Sequence, residues 1–131
     1  MKKNNIDNQI LVIFGSNGDL ARRKLLPAIF QLYLDNLLPD NFAVVGAGSQ
    51  DKNEATYRND VRDSLYEFAK NNTTAFPDKT ETFLQTIYYK KVNNQSVEDF
   101  GTLKQYIEQI SSEKDIPQNI VFYFSIPPFL Y

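Results

Sequence analysis

The residues with the clearest chemical use are Gly15-Ser16-Asn17-Gly18-Asp19-Leu20-Ala21, placed directly after the apolar run Ile10 to Phe14. Glycines between a buried strand and a helix permit a tight turn and let the backbone approach a pyrophosphate. Amides at the helix N-terminus then hold the anion, and Ala21 fills the small position that close helix–strand packing needs. The spacing is GxxGxxA rather than GxGxxG, a weak pattern that its place after a buried strand strengthens. The plain alternative is a strand-to-helix turn with no ligand. Arg22-Arg23-Lys24 comes next. Three cations in an early turn oppose the helix dipole, and a neighbouring anion would offset that cost. A solvated basic face is the competing reading. Asp19 reads as a cap for amides of the following turn.

A second chemically informative place is the end of the second strand. There an acidic residue bonds the ribose 2′-hydroxyl of NAD, while an Arg accommodates the 2′-phosphate of NADP. This chain has Gly46-Ala47-Gly48-Ser49-Gln50, with neither. Ser49 and Gln50 can bond a hydroxyl or a phosphate, but without charge. The signal does not decide between NADP and NAD.

Other chemistries are excluded by what is missing. The 131 residues contain no His and no Cys. That removes Ser-His-Asp and Cys-His arrangements, thiolate ligands and disulfides. Asp and Glu are scattered without a metal-ligand cluster, so neither catalytic nor metal residues are assigned. Net charge is −2, which offers no bulk attraction to nucleic acid or an anionic membrane. MKKNNIDNQ lacks an apolar stretch before a cleavage site, and no apolar run is long enough to span a bilayer. A cytoplasmic location is the expectation.

The elements that must position the loop alternate. Strands are expected at Ile10 to Phe14, Phe42 to Ala47, Ile87 to Val92 and Ile120 to Ile126. A helix carries Leu25, Leu26, Ile29, Phe30, Leu32, Tyr33, Leu37 and Leu38, starting near Lys24 because Pro27 belongs in a first turn. Pro39-Asp40-Asn41 closes it. A second helix runs from Asn53 to Asn71, followed by a polar connection over Asn72 to Lys79 and a short helical segment from Thr82 or Phe83. Ser96 is placed as the cap of a helix carrying Val97, Phe100, Leu103, Ile107 and Ile110. Strands joined by crossover helices predict an α/β Rossmann-like parallel sheet of about four strands, incomplete, within one domain over residues 1–131. Tyr88, Tyr89, Phe122, Tyr123 and Phe124 are assigned to sheet packing. In the doubly wound order the fourth strand lies beside the first. Its other edge is left open, a route to self-association.

Taken together, these residues resemble the amino-terminal coenzyme domain of glucose-6-phosphate dehydrogenase. The resemblance covers nearly the whole chain. It rests on VIFGSNGDLARRKLLPAIFQLY (Val12 to Tyr33), FAVVGAGSQ (Phe42 to Gln50), VRDSL (Val61 to Leu65) and VFYFSIPPFLY (Val121 to Tyr131). It implies oxidation of glucose 6-phosphate to 6-phosphogluconolactone, with hydride passed to NADP or NAD, at the entry to the oxidative pentose phosphate pathway. By the same resemblance Gly15 to Ala21 hold the pyrophosphate and Lys24 lies between coenzyme and sugar phosphate. Tyr123 to Pro128, with Pro127, pass beneath the nicotinamide side.

Two departures follow. Ser49 stands where NADP-using members carry Arg, and losing such a contact weakens binding by roughly 1.5–3 kcal/mol, tenfold or more. The family's general base is a histidine, and this chain has none. The expectation is thus a fragment: the first part of a coenzyme domain, binding a dinucleotide and meeting glucose 6-phosphate only where the other half is supplied. The alternatives are a non-catalytic dinucleotide-binding module or a relic.

Overall fold

Period-two burial along the first strand sets the layering. In β1 (Gln9–Phe14), Leu11 and Ile13 face one side while Ile10, Val12 and Phe14 face the other, and all five are buried. Successive side chains of a strand alternate between faces, so a continuous apolar run is covered on both sides. The computed structural model describes residues 8–92, 97–116 and 119–124.

Its strands are β1, β2 (Phe42–Gly48), β3 (Ile87–Lys91) and β4 (Ile120–Phe124), all parallel, in the order β3-β2-β1-β4. Leu11 lies opposite Val44 on one side and Val121 on the other. The helices are α1 (Leu26–Leu34), α2 (Glu54–Phe68), α3 (Lys70–Ala75), α4 (Pro77–Leu84) and α5 (Val97–Lys114). Leu26, Ile29, Phe30, Tyr57, Leu65 and Phe83, from α1, α2 and α4, cover Leu11 and Ile13. Leu103, Ile107 and Ile110 of α5 cover Ile10 and Val12. Each fully buried aliphatic or Phe side chain contributes about 1.5–3 kcal/mol. The expected α/β, Rossmann-like parallel sheet is the one observed, with β4 beside β1.

Several boundaries differ from expectation, each for a local reason. The helix after the loop does not start as an α-helix near Lys24. Ala21–Leu25 form a π-type turn in which Leu26 N donates to Ala21 O. Pro27 has no N–H and its ring crowds the carbonyl four residues back, so a wider turn relieves both demands. The same helix ends at Leu34, short of Leu38. Asn36 takes a left-handed φ of 59°, with Asn36 N donating to Tyr33 O at 3.1 Å and Leu37 N to Leu32 O at 2.9 Å. That is a Schellman closure with Asn in the usual glycine position. Leu38 is buried, but from the loop rather than the helix.

The polar connection expected over Asn72 to Lys79 is helical. α3 occupies Lys70–Ala75, and α4 begins at Pro77, five residues before Thr82. Proline suits a first helical position and pushes the preceding residue out of the α region. Phe76 accordingly has φ −132° and ψ 65° and separates the two helices. Thr80, fully buried, satisfies its hydroxyl on Phe76 O at 2.7 Å. Smaller differences are α2 ending at Phe68, β2 reaching Gly48 and β3 stopping at Lys91. Ser96, Pro127 and the residues of the expected last strand beyond Phe124 lie outside the described residues.

Candidate functional site

The chain leaves β1 toward β2 and β3 on one side, while β4 arrives on the other. Ligands of open α/β sheets bind at the carboxyl ends of the strands where the order reverses. The loop after Phe14 stands at that point.

Its shape is set by backbone bonds. Gly15 has φ 73°, a left-handed conformation that a side chain would strain. Gly15 N and Ser16 N both donate to Ala47 O, at 3.0 and 3.3 Å, which ties the loop to the end of β2. Gly18 N returns to Gly15 O at 3.0 Å. Asp19 and Leu20 open the helical run, where the first N–H groups have no intrahelical acceptor. Ala21 is fully buried in the α1/α2 core, as the small position requires, whereas Leu20 is 53% exposed.

The loop also has a side-chain support that sequence reasoning missed. Gly46 and Gly48 lie two apart on β2 and present one face to it. A Cβ on Gly46 would lie 2.6 Å from the Tyr57 hydroxyl and 2.9 Å from Ser16 Oγ. On Gly48 it would collide with the Asn17 amide and stand 3.2 Å from the Tyr89 hydroxyl. Tyr57 stacks on Tyr89 with centroids 4.7 Å apart. The Tyr89 hydroxyl reaches Gln50 O at 2.7 Å and Asn17 Oδ1 at 3.0 Å, joining the glycine loop to the chain after β2. The available signal was glycine at period two inside a strand, which marks close approach of another chain segment.

Ser16 Oγ and the Tyr57 hydroxyl are buried against one another, with no further hydrogen-bond partner among the described residues. Burial pushes Tyr57 well above the ordinary tyrosine range, so the phenol stays neutral. Two buried hydroxyls that satisfy only each other keep spare hydrogen-bonding capacity, which a water or a ligand can take up. Both residues line a cleft of about 270 Å³ between the loop and α2, together with Asn17, Gln50, Arg22 and Lys52. Lys52 Nζ pairs with Asp60 at 2.5 Å.

The basic run is divided three ways. Arg23 Nε donates to Asp19 at 2.7 Å, so Asp19 holds a guanidinium rather than capping an amide, and its carboxylate raises the arginine further. Arg22 lies 3.6 Å from Glu67 of α2, and both guanidiniums sit over Phe68. These pairings offset the unfavourable dipole that three early cations would otherwise meet. Lys24 is exposed and makes no ion pair among the described residues. Ser49 is exposed, outside the cleft that Gln50 lines.

The described residues contain no group of acidic side chains suited to a metal, and no described helix is long and apolar enough to cross a membrane. A second cavity of about 300 Å³, bordered by Phe14, Ile107 and Phe122, is mainly apolar and has little to offer a phosphate.

Known proteins carry the same arrangement of sequence. The family model for the glucose-6-phosphate dehydrogenase NAD binding domain matches residues 12–131. Glucose-6-phosphate 1-dehydrogenase of Leuconostoc mesenteroides is 34% identical over 119 residues, 91% of this chain and 24% of that protein. The chloroplastic enzyme of Spinacia oleracea is 31% identical over 121 residues, 92% of this chain and 21% of that one. A solved glucose-6-phosphate dehydrogenase in complex with its substrate glucose-6-phosphate superposes with a TM-score of 0.84 at 27% identity, covering 100% of this chain and 27% of that one. The structure from Mycobacterium avium, at TM-score 0.69 and 24% identity over 94% of this chain and 24% of its own, shares the fold. The chain thus spans about a quarter of the length of these relatives.

Proposed function

The chain belongs to the glucose-6-phosphate dehydrogenase NAD-binding-domain family, and from that premise we propose that it binds NADP, with NAD as the competing coenzyme. The carrying observation is the glycine loop at the strand-order reversal, tied to β2 and bordered by a cleft that Ser16, Asn17 and Gln50 line. Gly15, Ser16, Asn17, Gly18, Asp19, Leu20 and Ala21 form the pyrophosphate cradle: the amides of Gly15, Ser16 and Gly18 hold the loop's shape through Ala47 O and Gly15 O, and the helix N-terminus that opens at Asp19 faces the anion. Gln50 and Ser49 serve the adenosine ribose. Lys24, exposed and without an ion pair among the described residues, is the cation between coenzyme and sugar phosphate, and Pro127 is assigned to the nicotinamide side by the family resemblance.

The bound coenzyme accepts a hydride. In an enzyme of this family that hydride comes from glucose 6-phosphate, giving 6-phosphogluconolactone in the pentose phosphate pathway. Within these 131 residues no histidine is present to take the sugar hydroxyl proton. The chain's own part is therefore binding and orientation. Activity as a dehydrogenase requires sugar-binding and base groups supplied with it, and without them it is a dinucleotide-binding module.

Calorimetric titration of the chain with NADP and with NAD tests this reading. Saturable binding is expected, lost in Gly18→Trp while the circular dichroism spectrum is kept. Absence of heat with both coenzymes overturns it.

A further inference from the structure

Ser49 is uncharged and exposed, so a 2′-phosphate at the end of β2 must find its cation elsewhere. Two cations border the cleft beside Gln50: Arg22 and Lys52. Arg22 is committed to Glu67 at 3.6 Å and to the face of Phe68. Lys52 follows Gln50 by two residues, and its side chain is only 16% exposed. Its partner Asp60 is on α2, nearly half exposed, on the opposite wall of the cleft.

We infer that Lys52 is the residue that distinguishes NADP from NAD in this chain, with Asp60 as the counter-ion that holds the ammonium at the cleft until a 2′-phosphate arrives. This inference rests on the coenzyme reading above. An ammonium carries three donors on one point charge, so it can keep one bond to a carboxylate while giving another to a phosphate. Desolvating a lysine without a partner is costly, which explains why a half-exposed carboxylate accompanies it. Asp60 also sets a limit. Its negative charge, together with Asp63 on the same wall, opposes the dianion that Lys52 attracts. The chain therefore discriminates between the two coenzymes less sharply than one with an unopposed arginine.

The experiment measures binding of adenosine 2′,5′-bisphosphate and of 5′-ADP by calorimetry in the full chain and in Lys52→Gln, Lys52→Arg and Asp60→Asn. Lys52→Gln is expected to weaken the 2′,5′-bisphosphate by about tenfold or more, the scale of one charge-assisted bond, and to change 5′-ADP by less than twofold. Lys52→Arg should restore the preference. Asp60→Asn should tighten the 2′,5′-bisphosphate severalfold, a gain that damage to the fold would not produce. Equal weakening of both nucleotides by Lys52→Gln, or no weakening of either, overturns the assignment while leaving the coenzyme reading intact. Failure of the unaltered chain to bind adenosine 2′,5′-bisphosphate, NADP and NAD alike overturns both.

Discussion

Replacing Gly46 by Ala tests the packing that supports the loop. The new methyl carbon would lie 2.6 Å from the Tyr57 hydroxyl, 2.7 Å from its Cζ and 2.9 Å from Ser16 Oγ. Tyr57 cannot swing aside, because its ring is buried and stacked on Tyr89. Overpacking of this kind costs about 1–3 kcal/mol, which for a domain of this size lowers Tm by roughly 3–10 °C. Because Ser16 is displaced with Tyr57, coenzyme affinity should fall as well. Gly101→Ala is the matched control. A Cβ there meets nothing within 4 Å, and the site lies inside α5, so alanine should stabilise by about 0.5–1 kcal/mol. The assay is guanidinium unfolding followed by far-ultraviolet circular dichroism, since the chain has no Trp. If Gly46→Ala unfolds within 0.5 kcal/mol of the unaltered chain, the contact between β2 and the loop is not as described.

Other substitutions probe separate parts of the account. Tyr57→Phe removes a buried hydroxyl whose partner among the described residues is Ser16 Oγ and should change stability by no more than about 1 kcal/mol; a larger loss in the same unfolding assay would mean the hydroxyl is bonded beyond Ser16. Arg58→Ala strips donors from Leu84 O and Ile87 O, each at 2.7 Å, and should destabilise by about 2 kcal/mol in denaturant unfolding. The Arg62 guanidinium holds Glu81 below its ordinary 4.5. Its contribution is present above that value and lost as pH falls through the depressed one, about 0.5 kcal/mol for a pair this exposed; Glu81→Gln should flatten that acid limb of the stability profile. Burial raises Tyr57, Tyr89 and Tyr106 above 10. The unfolded chain then releases protons first, so stability should decline from pH 10 upward, and tyrosinate absorbance should rise together with unfolding.

The sheet was legible because β1 and β2 are apolar on both faces and the strands are separated by crossover helices, and the glycine loop because of where it falls between strand and helix. What escaped depended on contacts distant in sequence. Leu37 and Leu38 continue the apolar pattern of α1, yet Asn36 in a left-handed conformation ends it first. Residues 72–79 look like a polar connection because Thr73 and Thr80, both buried, return their hydroxyls to helical carbonyls. Asp19 reads locally as a cap and is instead the partner of Arg23. Lys52 and Asp60, eight residues apart, acquire meaning only when α2 is brought across from the end of β2.

Amide chemical-shift mapping during NADP addition tests the central claim most directly. Saturable shifts are expected at Gly15 to Ala21, Gln50 and Lys52, with Ile107 and Phe122 unmoved. Shifts centred on Ile107 and Phe122, or none at the glycine loop, would contradict it.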